Sequence, residues 1–205
     1  MSNLREALSD IRSIRALMAR CIEFRGYGPT TLAITGVLAI GVASVEGLGI
    51  VDSPHDPYHY LSLWIGTAAV SLTLIGIETV ARARRIHSGL AMEMVHSAFE
   101  QFMPAIVAGV LVTAVLARFS PQNLWMLPGL WQILFSLGVF ASCRFLPRAT
   151  FWVGVWYLAT GLGCLALGRG DSAFSPWEMG IPFGAGQLMV AAVLQFGYRD
   201  IDEAN

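Results

Sequence analysis

Lysine is absent from this sequence of 205 residues, and charged residues of all kinds make up only 13% of it. Hydrophobic residues reach 55%, and the mean hydropathy is +0.60. This is more apolar surface than a soluble core of 22.2 kDa can bury. The composition therefore excludes an ordinary soluble domain and predicts an integral membrane protein.

The sequence also lacks the short motifs of catalytic and nucleotide-binding sites. It contains no nucleophile elbow, phosphate-binding loop or dinucleotide fingerprint, and its glycines fall inside apolar segments where close helix packing explains them. Three cysteines, Cys21, Cys143 and Cys164, have no CxxC spacing and no nearby histidine, so neither a zinc site nor a disulfide framework is indicated. We expect a protein that is not an enzyme and holds no cofactor.

Six apolar segments are long enough to cross a bilayer core about 30 Å thick as helices that rise about 1.5 Å per residue. Because these segments are continuously apolar and do not alternate, helices are favoured over the strands of a barrel. The predicted spans are residues 31–50, 61–81, 102–117, 124–145, 150–167 and 179–196.

The arginines are distributed unevenly among the loops. If the N-terminus is inside, the outer loops hold only Arg118 and Arg169, together with Asp52, Asp56 and Asp171, and every other arginine is inside. By the positive-inside rule, we expect a bacterial inner-membrane protein with both termini in the cytoplasm. Topology and attraction to anionic lipids account for the basic residues, so no nucleic-acid partner is expected.

Residues 1–28 are predicted to form an amphipathic cytoplasmic helix, which Gly26, Gly28 and Pro29 would end. The simpler interpretation is a helix on the membrane surface with its arginines toward lipid head groups. The alternative is contact with a second copy, as a short coiled coil, or with a cytoplasmic partner. The apolar residues on the a and d positions of three heptads are Leu4, Ala7, Ile11, Ile14, Met18 and Cys21.

Two short patterns recur along the spans and predict three tandem helical hairpins, 31–81, 102–145 and 150–196. Each odd span carries Gly-Val followed by Leu or Trp, at Gly36, Gly109 and Gly154. Each even span begins near a tryptophan, at Trp64, Trp125 and Trp177. We therefore expect an all-α membrane domain over 29–198 with a pseudo-threefold axis along the membrane normal, followed by a cytoplasmic tail over 199–205.

These hairpins, together with "SPW" at Ser175, Pro176 and Trp177, resemble the small bacterial membrane proteins of the HdeD acid-resistance and SPW-repeat kind. The resemblance covers roughly residues 31–196 but departs from the pattern in the first hairpin, where "YHYLSLWIG" replaces "SPW". It implies a six-helix, stress-associated membrane protein without a known catalytic site, and it carries over no functional residue.

Four polar side chains inside the spans are candidates for a polar core: Gln132, Gln187, Ser71 and Thr73. An amide left unpaired in hydrocarbon costs several kcal/mol, so the simpler role for the glutamines is hydrogen bonding between helices. The alternative is a polar ring that lines a small cavity on the bundle axis.

Two acidic residues also fall near the ends of spans. Glu78 lies four residues before Arg82, a spacing that favours an ion pair on one helix face. The alternative is a carboxylate that exchanges protons, as intramembrane acids often do. Glu46, near the end of the first span, has the same two interpretations.

The loop after the first span gathers two histidines and two aspartates. Prolines at 54 and 57 disfavour the helical turn that would bring both imidazoles to one cation, so a solvated loop without metal is expected. The alternative is a metal or pH-sensing site. Its members would be Asp52, His55, Asp56 and His59.

These patterns favour a non-enzymatic, oligomeric membrane protein with a stress-related or regulatory role. The alternative is a transporter or channel for a small solute or protons, using a polar ring on the bundle axis. The two differ in whether Gln132, Gln187 and Glu78 meet in one cavity or are each satisfied by a neighbouring helix.

Overall fold

The computed structural model describes residues 28–49, 56–85, 89–143, 149–168 and 174–202, and within these ranges it is helical and contains no strand. The amphipathic helix expected over 1–28 lies outside the described residues except for Gly28, and it stays a prediction. The helices are α1 (Pro29–Gly47), α2 (Pro57–Arg85), α3 (Gly89–Phe119), α4 (Leu127–Ser142), α5 (Thr150–Leu167) and α6 (Trp177–Asp202), with a 3₁₀ helix, Pro121–Met126, leading into α4.

Within the described residues, six helical segments are long and apolar enough to cross a membrane, which confirms the prediction of six such helices. The observed ends differ by a few residues from the predicted ones. Pro29 starts α1, where a proline loses no hydrogen bond because first-turn N–H groups have no helical acceptor. The apolar stretches are Pro29–Gly47, Pro57–Ala81, Phe99–Phe119, Pro121–Ser142, Thr150–Leu167 and Trp177–Gln195.

Helices α1 and α6 make the most extensive contact in the described structure, through small residues on both faces. A Cβ atom added to Gly36 would lie 2.9 Å from the carbonyl oxygen of Gly184, and one added to Gly184 would lie 3.2 Å from the carbonyl oxygen of Gly36. Gly180 and Gly184 are four residues apart, the GxxxG spacing of close helix pairs. The two backbones therefore touch where neither residue carries a side chain.

Helices α4 and α5 cross in the same way at Gly129 and Gly161. A Cβ atom on Gly129 would lie 2.7 Å from the carbonyl oxygen of Gly161, and one on Gly161 would lie 2.8 Å from that of Gly129. Lipid provides no hydrophobic drive between helices, so close backbone approach of this kind is a main source of association. The two tightest crossings thus join helices that belong to different predicted hairpins.

The glycines expected to be equivalent in the three hairpins have different surroundings. A Cβ atom on Gly154 would meet the ring of Phe140, whereas one on Gly109 would meet only Leu134 Cδ1, at 3.9 Å. The close contact predicted at Gly109 is therefore wrong. The physical reason is that α3 meets α4 at this point only through a side chain, and no residue of the apolar stretch of α3 is buried. Tandem hairpins and a pseudo-threefold axis stay predictions.

Candidate intramembrane cavity

A cavity of about 270 Å³ lies among the helices, with walls from α1, α2, α3, α4 and α6 and one residue of α5. Its described lining contains no charged or titratable side chain. Most of the lining is aliphatic or aromatic, with a few hydroxyl groups and one amide. Such a surface accommodates an apolar molecule and disfavours an ion, because moving a charge out of water without a partner is costly.

Two polar groups on the cavity wall make no hydrogen bond in the described structure, the indole N–H of Trp64 and the amide oxygen of Gln187. Trp64 is only 3% exposed, so water does not satisfy its N–H from outside. The indoles of Trp131 and Trp156, by contrast, donate to Thr113 Oγ1 at 2.8 Å and to the carbonyl oxygen of Pro182 at 3.0 Å. An unused donor and acceptor in a desolvated wall point to a molecule that would pair with them.

Two hydroxyl groups of the same wall already donate hydrogen bonds. Thr35 Oγ1 donates to the carbonyl oxygen of Leu32, and Thr67 Oγ1 donates to that of Leu63, both at 2.9 Å. Each bond lies within one helix, as is usual for threonine in apolar surroundings. Trp64 Nε1 and Gln187 Oε1 differ from these threonine hydroxyls in having no hydrogen-bond partner in the described structure.

Three phenylalanine rings from three helices form an aromatic wall. The ring centroids of Phe102 and Phe135 are 5.0 Å apart, and those of Phe135 and Phe183 are 5.5 Å apart, both edge-to-face. Tyr157 packs behind them, with its centroid 4.7 Å from that of Phe135. These contacts hold α3, α4 and α6 around the cavity.

Gln132 does not line the cavity. It is fully buried, and its amide Nε2 donates to the carbonyl oxygen of Glu178 at 2.8 Å. Pro182 follows that carbonyl by four residues and has no N–H, so the carbonyl lacks its usual donor within α6. Gln132 supplies the missing hydrogen bond from α4, which is the interhelical role considered for it from the sequence.

The other candidates for the polar core lie in three different places. Ser71 lines the cavity with Gln187. Thr73 is exposed and donates to the carbonyl oxygen of Ala69 at 2.7 Å. The carboxyl group of Glu78 lies against Gly28 at the start of α1, where the positive end of the helix dipole favours an anion. The structure thus brings two of these residues together and does not form one ring of them.

A second polar group of residues lies at the opposite end of α1 from Glu78. Glu46 and Glu178 each have a buried Oε2 atom without a hydrogen-bond partner among the described residues, and Tyr60 is within electrostatic range of both. The Tyr60 hydroxyl donates to the carbonyl oxygen of Ser175 at 3.3 Å. None of these side chains lines the cavity.

Half of the loop considered as a metal or pH-sensing site can be placed. Asp56 accepts a hydrogen bond from the backbone N–H of Tyr58 at 3.0 Å, and His59 is within electrostatic range of Glu46. Asp52 and His55 lie outside the described residues, so the four-residue site stays a prediction. In the part of the chain that is described, no three His, Cys, Asp or Glu side chains are grouped as metal ligands would be.

The two described cysteines have different surroundings. Cys164 Sγ lies 3.5 Å from Gln132 Nε2 and 3.7 Å from the carbonyl oxygen of Glu178, so it borders the proline-freed carbonyl. Cys143 follows the end of α4, and burial raises the pKa of its thiol. A raised pKa keeps that thiol protonated at neutral pH and lowers its reactivity.

The position of Trp64 in the cavity wall was not predicted from the sequence, where this residue marks only the beginning of the second span. The available signal was the helical spacing of Trp64, Thr67, Ser71 and Ile75, which places them on one face of α2. All four line the cavity. A face with small polar residues between two large apolar ones indicates a wall that is not fully packed.

Comparison with known proteins gave no match, whether to a family model, a curated protein or a solved structure. The resemblance to proteins of the HdeD and SPW-repeat kind therefore stays a prediction from short motifs. Function has to be argued from the cavity and its walls.

Proposed function

We propose that this chain is a non-enzymatic integral membrane protein that binds a small uncharged solute in the cavity between its helices. The observation that carries the proposal is an uncharged described lining that includes an unused donor on Trp64 and an unused acceptor on Gln187. Sites for small molecules are typically apolar with a few such polar groups, which fix the orientation of the ligand.

The same observation favours an uncharged solute over protons or ions. Conduction of ions through the cavity would need charged or strongly polar groups along its wall, and the described wall has none that titrate. The intramembrane carboxyl groups, Glu46, Glu78 and Glu178, lie outside that wall. For the transporter or channel considered as the alternative from the sequence, the uncharged wall supports a small solute over protons.

We further propose a location in the bacterial inner membrane with both termini in the cytoplasm, which the arginine distribution supports. Membrane lipids are then the immediate surroundings. A stress-related or regulatory role, self-association, and a cytoplasmic partner for residues 1–28 rest on sequence patterns alone. Solute binding is compatible with each of them, because an occupied cavity would change how the loosely packed α2 and α3 contact the other helices.

Binding is tested with purified protein in lipid nanodiscs and prodan, an uncharged naphthyl ketone dye whose emission reports a less polar site. We expect saturable binding with one dye per chain. Ala68→Phe should abolish it, because Ala68 lines the cavity and the added ring would fill the space. Ala69→Phe is the matched control, because Ala69 is in the same exposed class as Ala68 but lies outside the lining.

Two results would refute the proposal. The first is a dye signal that rises linearly without saturation, as for partition into lipid alone. The second is an equal loss of binding in the Ala68→Phe and Ala69→Phe variants, because a specific site would separate two adjacent residues on different faces of α2.

A further inference from the structure

The cavity has an opening on the side of the bundle, between α2 and α3. Leu72 on α2 and Phe99 on α3 both line the cavity, and yet they are 53% and 46% exposed. Side chains that line a cavity and also lie on the outer surface mark the place where the two spaces join. Both residues belong to apolar stretches, so in a membrane this opening would face hydrocarbon.

The cavity is long in the direction of the helices. Its wall on α2 runs from Trp64 to Ile75, eleven residues, which corresponds to about 16 Å at the rise of an α-helix. This is about half of a bilayer core about 30 Å thick, or the length of the chains in one leaflet. A cavity of about 270 Å³ that extends over this length has a small cross-section.

The wall of the cavity combines two polar anchors with a longer apolar part. Trp64 and Gln187 provide the unused donor and acceptor, whereas Ile75, Val190 and Leu194 line the wall further along α2 and α6. A hydroxyl group both donates and accepts hydrogen bonds, so it could use either anchor. An ammonium or carboxylate group would enter the same uncharged wall without a counter-ion.

We propose that the ligand is a single-chain, uncharged amphiphile of the long-chain alcohol class, which enters from the lipid through the opening at Leu72 and Phe99. Its hydroxyl group hydrogen-bonds with Trp64 or Gln187, and its chain lies along Ile75, Val190 and Leu194. This inference rests on the proposed function, because it names the class of solute that the cavity takes.

The ligand class is tested by displacement of prodan from the nanodisc-embedded protein with 1-dodecanol. Dodecylammonium and dodecane, at matched concentrations in the lipid, serve as the charged analogue and the analogue without a hydroxyl group. We expect dodecanol to displace the dye at least about tenfold more effectively than either. The Trp64→Phe/Gln187→Leu double variant, which lacks both anchors, should weaken dodecanol by about 5- to 10-fold, the effect of one hydrogen bond, and leave dodecane unchanged.

The route is tested by the rate of exchange. Phe99→Ala should speed dodecanol entry and release by about threefold or more with little change in affinity, because it widens the opening without removing a hydrogen bond. Phe119→Ala is the matched control on the same helix, since Phe119 is 75% exposed and does not line the cavity. Equal rates in the two variants would overturn the proposed route.

The outcomes separate this inference from the proposed function. If prodan binds saturably and dodecanol does not displace it, or dodecylammonium displaces it equally well, the ligand class is wrong and the cavity still binds an uncharged solute. If prodan shows no saturable binding, the proposed function itself fails and the ligand class fails with it.

Discussion

At the scale of single residues, one helix lacks a backbone hydrogen bond, and a side chain of another helix replaces it. Pro182 leaves the carbonyl oxygen of Glu178 without a donor inside α6, and Gln132 of α4 donates to it. An unpaired carbonyl in hydrocarbon is costly, so proline and glutamine stabilise the bundle only as a pair. Helix α6 thereby acquires a specific partner and register.

This pairing predicts the result of a double-mutant cycle. Gln132→Leu keeps the side-chain size but removes the donor, and it should lower the free energy of unfolding by about 1–2 kcal/mol. In the Pro182→Ala background, the restored backbone N–H donates to the carbonyl oxygen of Glu178. Gln132→Leu should then lower the free energy of unfolding by less than about 0.5 kcal/mol. Equilibrium unfolding by SDS in mixed micelles measures the change in the free energy of unfolding in both backgrounds. An equal cost in the two backgrounds would show that Gln132 does not act through this carbonyl.

A second prediction concerns the crossing of α4 and α5. Gly161→Ala should destabilise the protein by about 1–3 kcal/mol through overpacking, because its Cβ atom would lie 2.8 Å from the carbonyl oxygen of Gly129. Gly163→Ala on the same helix is the control, since no atom lies within 4 Å of the added Cβ. The same unfolding assay should find the control neutral or slightly stabilised. A cost at Gly163 equal to that at Gly161 would contradict the described crossing.

At the scale of helices, packing is strongly unequal. Helix α1 is held tightly against α6 and helix α4 against α5, whereas α3 has no buried residue in its apolar stretch. The cavity opens at the loosely packed side, between α2 and α3. Mobility of α2 and α3 would therefore change the cavity without disturbing the two tight pairs.

This inequality is tested at two of the three glycines that the sequence suggested are equivalent. Gly36→Ala should destabilise the protein by about 1–3 kcal/mol, because the added Cβ would lie 2.9 Å from the carbonyl oxygen of Gly184. Gly109→Ala should be nearly neutral, since its nearest neighbour is 3.9 Å away. Gly41→Ala, in open space on α1, is the control. A similar cost at Gly36 and Gly109 would instead support threefold equivalence.

At the scale of the whole molecule, six crossings and the arginine distribution predict the orientation in the membrane. A phosphatase reporter, active only outside the cytoplasm, should be inactive when fused after Asn205 and active when inserted near Asp171. A green fluorescent reporter at the same positions should give the opposite pattern. Phosphatase activity at Asn205 would contradict the proposed orientation. Equal signals at both positions would contradict a membrane crossing between Asp171 and Asn205.

The sequence was sufficient to predict the six helical segments, because length and hydropathy are local properties and lipid admits few other structures. It was not sufficient to pair the helices. In lipid no face of a helix is marked by polarity, so the crossing at Gly36 and Gly184 depends on shapes brought together from distant parts of the chain.

The candidate site was predictable only in part for the same reason. Gln187 and Ser71 were candidates because polar groups inside a span are conspicuous. Trp64 was not, because a tryptophan near the start of a span usually lies at the membrane interface. The role of Gln132 depends on a carbonyl group that Pro182 sets free, which no pattern around Gln132 itself reveals.

The close contact between α1 and α6 has a consequence for biosynthesis. Of the six described α-helices, α1 is synthesised first and α6 last, so α1 must remain in the bilayer with its small-residue face against lipid until α6 has been made. Insertion of the intervening helices therefore proceeds around an incomplete core. A late premature stop codon that removed α6 would leave the first helix without its main partner, and such a product would be a substrate for membrane proteases.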